Sequence, residues 1–238
     1  MENKEDKKGT KEERRGSLLL CVILFFIALV NFGIVLYVAK DLPDSVPVHA
    51  GFNMMVDRWG SPAIIKFFGA FPALMLILFG FMQHFAGGTG TNRKLINSII
   101  AMTTVMLLCC TWMSVFMASK YESAALGQPL PVSMILLVIL PISFILVFTG
   151  NYSALIKPNK WLGIRTKDTF ADEKVWKKTH RMAGFFMFFA GIILAVLGII
   201  GAVTNNSVWV LAGLGITIIS VFIPIIYANK LNKTISKE

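Results

Sequence analysis

The sequence predicts an all-α polytopic membrane protein, a bundle of six transmembrane helices with a cytoplasmic amphipathic helix before the fifth. Three observations predict it. Of 238 residues, 55% are hydrophobic and only 15% charged, against about 25% charged in a soluble chain. The apolar residues gather into six runs, 17–38, 63–82, 97–118, 132–149, 182–203 and 207–228. Each run is close to the length needed to cross roughly 30 Å of hydrocarbon as a helix. The Lys and Arg residues are lopsided about those runs: six lie in 1–16, two in 83–96, eight in 150–181 and three after 228, leaving Lys40, Arg58, Lys66 and Lys120 for the other side. By the positive-inside rule both termini are cytoplasmic. This placement reads the net charge of +10 as topology and attraction to lipid headgroups rather than nucleic-acid binding.

A spanning segment must satisfy its backbone polar groups internally, so without an alternating strand pattern the runs are helices. Residues 1–16 mix six basic and five acidic side chains and read as a disordered cytoplasmic tail. The first run is long for a signal-peptide core, and no small-residue cleavage site follows before Asp41, so it reads as a retained helix. With the second run it forms an N-terminal two-helix unit, 17–94, enclosing an outer loop, 40–62. That loop, KDLPDSVPVHAGFNMMVDRWGSP, is too long for a passive connection, and Pro43 and Pro47 exclude a regular helix across it. It offers Asp44, His49 and Asp57, with Phe52 and Trp59 as apolar contacts. One imidazole and two carboxylates make weak metal candidates. A hydrogen-bonded loop core with His49 buried against Trp59 is the plainer expectation.

Residues 95–238 form a four-helix unit. Cys21, Cys109 and Cys110 lie inside spans, where thiols act as small hydrophobes. The fifth run carries Gly184, Gly191, Ala195, Gly198 and Ala202 on one face. Such small-residue faces let helices approach closely in lipid; packing within the bundle is the plainer reading and a homodimer seam the sharper one. Between the fourth and fifth runs lies an inner loop, 150–181. In it, Thr169 with Asp172 and Glu173 suggests a cap for a helix from about Phe170 to Arg181. Ala171, Val175, Trp176, Thr179, Met182 and Ala183 share one arc of that helix, and Lys174, Lys177, Lys178, His180 and Arg181 the other. Such a basic amphipathic helix suits the inner membrane surface or an acidic partner.

The spans contain no Asp, Glu or Arg, which argues against a coupled transporter. Neither a Gly-x-Ser-x-Gly, an HExxH nor a phosphate-cradling glycine loop occurs, so no catalytic residue and no cofactor is expected. The alternative to a binding protein is a membrane-embedded, metal-dependent enzyme using the outer-loop residues; a small transporter ranks below both.

Two segments carry a resemblance. The inner loop reads Gly150-Asn151-Tyr152, Ile156-Lys157-Pro158-Asn159, Gly163-Ile164-Arg165-Thr166 and Glu173-Lys174-Val175-Trp176-Lys177-Lys178-Thr179-His180-Arg181, and resembles the signature of the SdpI-type bacterial immunity proteins. The outer Leu42-Pro43-Asp44-x-x-Pro47-x-His49 with Asp57-x-Trp59-Gly60 resembles a small domain often fused N-terminal to it. The resemblance implies a multi-pass protein of the bacterial cell membrane that protects against a secreted, membrane-active peptide toxin and holds a transcriptional repressor at the membrane. An amphipathic toxin would then meet Asp44, His49, Phe52, Asp57 and Trp59. The repressor would meet Asn159, Arg165, Lys174, Trp176, Lys177, His180 and Arg181. Membrane lipids are the other expected partner, and the chain is a monomer or a homodimer.

Overall fold

The computed structural model describes residues 4–51, 53–85, 93–120, 130–159 and 162–235. Six helices are long and apolar enough to cross a membrane, and the protein is an all-α polytopic membrane protein. They are α1 (Lys4–Val38), α2 (Ala63–Phe85), α3 (Arg93–Lys120), α4 (Leu136–Ser153, preceded by a 3-10 turn at Val132–Ile135), α6 (Glu173–Thr204) and α7 (Ser207–Ile235); α5 (Lys167–Ala171) is a single turn. Large apolar side chains such as Phe26, Phe81, Phe144, Phe185 and Ile218 point outward, as lipid contact requires.

The helix from Lys4 departs from the disordered tail expected for 1–16. Lys and Glu are good helix formers, and a segment already attached to a long helix extends it without a new nucleation step. The outer loop departs too. Within it, β1 (Val46–Ala50) and β2 (Val56–Gly60) pair antiparallel. Pro47 is tolerated because the two strands make a sheet with free edges. Val46 is fully buried and packs with Val35, Ile65, Val115 and Ala118, which fixes the hairpin on the ends of α1, α2 and α3.

The helices pack as two triplets. In one, α1, α2 and α3 all touch; in the other α6 packs along both α4 and α7, and α3 also packs on α4. Inside the first triplet, Pro72 lacks an N–H, so it leaves the Phe68 carbonyl without its helical partner. The Thr111 hydroxyl of α3 donates to that carbonyl at 2.9 Å. Nearby, the Trp112 indole N–H donates to Asn31 Oδ1 of α1 at 2.9 Å. At the opposite end, Gln83 donates to Asn97 at 3.0 Å.

The second triplet rests on glycine. A Cβ on Gly184 would lie 2.6 Å from the Gly150 carbonyl oxygen, one on Gly191 2.7 Å from the Ser143 carbonyl oxygen, and one on Gly198 2.8 Å from Ile139 Cγ2. The glycines of the small-residue face read in the fifth run therefore pack on α4, inside the bundle, which is the plainer of the two readings. Gly191→Leu should separate α4 from α6 and cost about 3 kcal/mol or more, since its neighbour is backbone and cannot rotate away. Gly80→Leu, at a site with nothing within 4 Å, should cost far less. Thermal unfolding of both variants in mild detergent, read against the unaltered protein, checks this contrast.

Candidate functional site

Two places collect chemistry, one at each end of the bundle. At the hairpin end the triplets part, leaving an apolar cavity of about 400 Å³ between α2, α3, α7 and the turn before α4, with β1 as its roof. Its walls include Phe68, Met113, Met117, Met134 and Leu214. Met54, in the hairpin turn, adds a further methionine. Thioether side chains are unbranched and polarizable, so this lining can adapt to an apolar occupant of irregular shape.

The hairpin turn is tied to the segment before α4, where Leu130 N–H donates to the Met54 carbonyl at 2.8 Å; that segment is tied in turn to the α6–α7 corner, where Val132 N–H donates to Asn205 Oδ1 at 3.0 Å. Met54 holds a left-handed backbone with φ 62°, a conformation that disfavours a side chain. Its side chain packs against the cluster of Val132, Ile139, Leu194 and Val210, and that burial offsets the strain.

The outer-loop residues do not form one centre. His49 Nδ1 lies 2.6 Å from Asp57 Oδ1, with both side chains about half exposed, at 54% and 52%. His49 is thus a solvent-facing cross-strand partner on the cavity rim rather than buried against Trp59; the residue opposite Trp59 is Pro47. Trp59 is half-buried, and its buried indole N–H finds no acceptor among the described residues. Asp44 is exposed, and among the described residues no three His, Cys, Asp or Glu side chains converge as metal ligands. Phe52 lies outside the described residues. The methionines and the α7 wall were missed by sequence reasoning. Met113 and Met117, one turn apart, were the available signal, but that spacing reads equally as ordinary core.

At the other end, residues 156–159 and 162–169 fold onto the start of α6. Asn159 closes a turn, donating to the carbonyls of Lys157 and Leu162 at 2.8 and 3.1 Å and accepting from Leu162 N–H at 2.7 Å. Trp176 is buried and its indole N–H donates to the Ile156 carbonyl at 2.7 Å. His180 stacks on Trp176 with ring centroids 4.1 Å apart. Its Nε2 accepts from Ile164 N–H at 3.0 Å, and Nδ1 faces the Trp176 carbonyl at 2.9 Å. The first contact requires a lone pair on Nε2, so the ring is neutral with its proton on Nδ1. Gly163, at φ 104°, lies against His180 where no Cβ could fit.

These contacts correct the amphipathic reading. Asn159, Trp176 and His180 are 5%, 1% and 1% exposed, so they build the loop and cannot present a docking face. At three to four residues per turn, His180 sits on the buried side with Trp176 because stacking and two backbone bonds compensate its polarity. The helix is also divided differently: Thr166 and Thr169 cap α5 reciprocally, Asp172 caps α6, and α6 continues unbroken into the fifth span. Arg165, Lys174, Lys177, Lys178 and Arg181 are exposed; all but Arg165 belong to the cationic arc that the sequence anticipated, from which His180 drops out. Asp168 of α5 accepts from Asn232 at 2.8 Å and Asn229 at 3.3 Å, tying the loop to α7.

The fold and its two ends define a class: a six-span helical membrane protein with a hairpin-roofed cavity at one end and a histidine-locked basic loop at the other. Comparison places it more closely. Residues 156–228, which take in most of the inner loop, α5, α6 and most of α7, match the SdpI/YfhL protein family, the same region whose motifs carry the resemblance. It is 26% identical over 179 residues to "Immunity protein SdpI" of Bacillus subtilis (strain 168), an alignment covering 74% of this chain and 80% of that protein. No solved structure matches.

The neutral imidazole sets a pH dependence. A proton on Nε2 would oppose the Ile164 N–H, so it can be taken up only when the loop has come away. Loop stability is therefore full above histidine's ordinary pKa of about 6.5 and is lost progressively below it. Amide exchange across 162–166, corrected for its intrinsic pH dependence, should stay slow at pH 8 and accelerate at pH 5. In His180→Ala it should be fast at both.

Proposed function

We propose that this chain is a membrane immunity protein, and that the cavity beneath the hairpin receives the apolar part of a membrane-active amphipathic peptide. The observation that carries this reading is the cavity itself, an apolar, methionine-lined space under a roof whose rim holds His49 and Asp57. The likeness to the Bacillus subtilis immunity protein supports the immunity role. Both termini and the basic loop face the cytoplasm in this reading, and the hairpin faces the toxin. The hairpin-bearing unit, 17–94, does the receiving, and 95–238 carries the glycine seam and the loop. Asp44, Asp57 and Trp59 meet the peptide's polar side. Arg165, Lys174, Lys177 and Arg181 offer the cationic surface on which an acidic face of a cytoplasmic repressor docks. Asn159, Trp176 and His180 position that surface from within.

Occupancy can signal across the bilayer only if the peptide favours one arrangement of the helices over another. The elements that touch the cavity include the turn that leads directly into α4, and α4 ends at the loop.

The test is expression in a sensitive Gram-positive strain challenged with a panel of membrane-active peptides. The unaltered chain should raise the inhibitory concentration of at least one peptide about tenfold. Met117→Glu, which places a charge in the cavity, should abolish that protection at equal membrane abundance. Lys177→Glu with Arg181→Glu should leave protection intact while weakening capture of the repressor. Protection by no peptide, or full protection by Met117→Glu, overturns the proposal.

A further inference from the structure

The cavity has a side as well as a roof. Its walls come from α2 through Ile64, Ile65 and Phe68 and from α7 through Val210, Leu211 and Leu214, yet α2 and α7 do not pack into an interface with each other. They face one another across the gap between the two triplets. These wall residues belong to membrane-spanning segments, and Leu214 lies seven residues into α7, roughly 10 Å along the helix axis from Ser207. The space therefore reaches past the interface to acyl-chain depth. The flanks of the gap are lipid-facing: Phe67 is 52% exposed and Val208 64%. Lys66, beside Phe67, is an exposed cation at the hairpin end of α2. Lys120 follows Met117 by three residues on α3 and is also exposed.

We infer that the cavity is a lateral phospholipid site, entered from the bilayer between α2 and α7, whose resident occupant is one acyl chain of a lipid in the leaflet on the hairpin side. Four properties support this occupant. The interior is almost wholly apolar, so it suits hydrocarbon better than water. At roughly 30 Å³ for a water-sized group, 400 Å³ takes on the order of a dozen methylenes, a large part of one chain. Methionine walls accommodate a chain that has no fixed shape. Lys66 and Lys120 stand at the level where the phosphate of that lipid would sit, and a long lysine stem reaches that level without lifting the chain out of the cavity. The inference concerns the same cavity as the proposed toxin site but holds whether or not a toxin binds; where one does, it enters by displacing the lipid chain.

The experiment contains no toxin, so its outcome is separate from that of the immunity assay. Purified full-length protein is reconstituted in phosphatidylglycerol vesicles, a trace of which carries a diazirine midway along one acyl chain. It is then irradiated and digested, and the labelled residues are mapped by mass spectrometry. The expected labels fall on Met113, Met117 and Leu211 inside the cavity, in addition to the outward faces. Met117→Trp, which fills the space, should lower the Met113 and Leu211 labels at least fivefold while leaving labels on the outward Phe26 and Ile218 unchanged. Those outward labels also report that the variant is folded in the bilayer. A second arm uses the unaltered protein: phospholipid should persist at about one molecule per chain in native mass spectra after detergent exchange. Labels confined to the outward faces, cavity labels indifferent to Met117→Trp, or detergent alone in the native spectra would overturn the inference.

Discussion

A carbonyl or N–H inside the hydrocarbon core has no water to turn to, and the placement of nearly every unusual residue in this chain follows from that constraint. The helices satisfy their own backbones, so the interesting positions are those where they cannot. Pro72 strips the Phe68 carbonyl of its helical donor, and Thr111 on the adjacent helix supplies another. The same bond that repairs α2 fastens it to α3. Between helices the constraint works differently, because lipid tails are as apolar as leucine and give no hydrophobic drive for association. Close packing has to replace it. The α4–α6 seam achieves this by removing side chains altogether at Gly150, Gly184 and Gly191, which brings backbone against backbone.

The constraint relaxes at the two ends of the bundle, where water returns, and there the chain builds its irregular structures. Each end solves the loose-loop problem with buried polar contacts rather than with length of helix. At the hairpin end, a bond from Leu130 N–H holds the hairpin turn to the segment before α4, and one from Val132 N–H holds that segment to Asn205 at the α6–α7 corner. At the basic end, one imidazole accepts from the Ile164 N–H and holds that residue against α6, stacked on an indole that is itself anchored to Ile156. The exposed cations then form an arc on a rigid support. A loop of this charge without such anchors would remain an extended, solvated segment, since like charges repel and no apolar burial compensates.

How far the sequence could be read divides along the same line. Inside the membrane a single requirement dominates, so run length and the glycine spacing sufficed to anticipate the six spans and their small-residue face. Outside it, several local outcomes compete within a few kcal/mol. Lys174 and Lys177 were legible as exposed because a charge has only one cheap place to go. His180 was not, because a histidine can be a solvated cation or a neutral buried partner, and only the position of Ile164 N–H, sixteen residues away, selects the second. The same holds for the hairpin. Pro43 and Pro47 correctly argue against helix, but the strand pairing depends on Val46 finding Val35, Ile65 and Val115, three contacts on three helices. The cavity was the least legible feature, since a void is defined by residues that fail to meet.

That failure to meet is informative in its own right. α6 packs along α4 and α7, and the first three helices touch one another, while α3 packs on α4 as closely as it does on α2. The α3–α4 contact is the shared edge of the two triplets, and the cavity opens between α2 and α7, which do not pack on each other. Filling it with an adaptable lining costs less specificity than filling it with interlocking side chains, because methionine accepts several arrangements of nearly equal energy. Under the proposed function, interlocking side chains here would close the space, whereas an adaptable lining admits an apolar occupant. The turn before α4 forms part of the junction, and α4 runs along the glycine seam, where Ile139 and Val147 seat against Gly198 and Gly191. Beyond the end of α4, the Ile156 carbonyl accepts from Trp176 of α6. A structure meant only to be rigid has no use for an apolar void at its hinge, whereas one that must register an apolar occupant needs the void where the two bodies diverge.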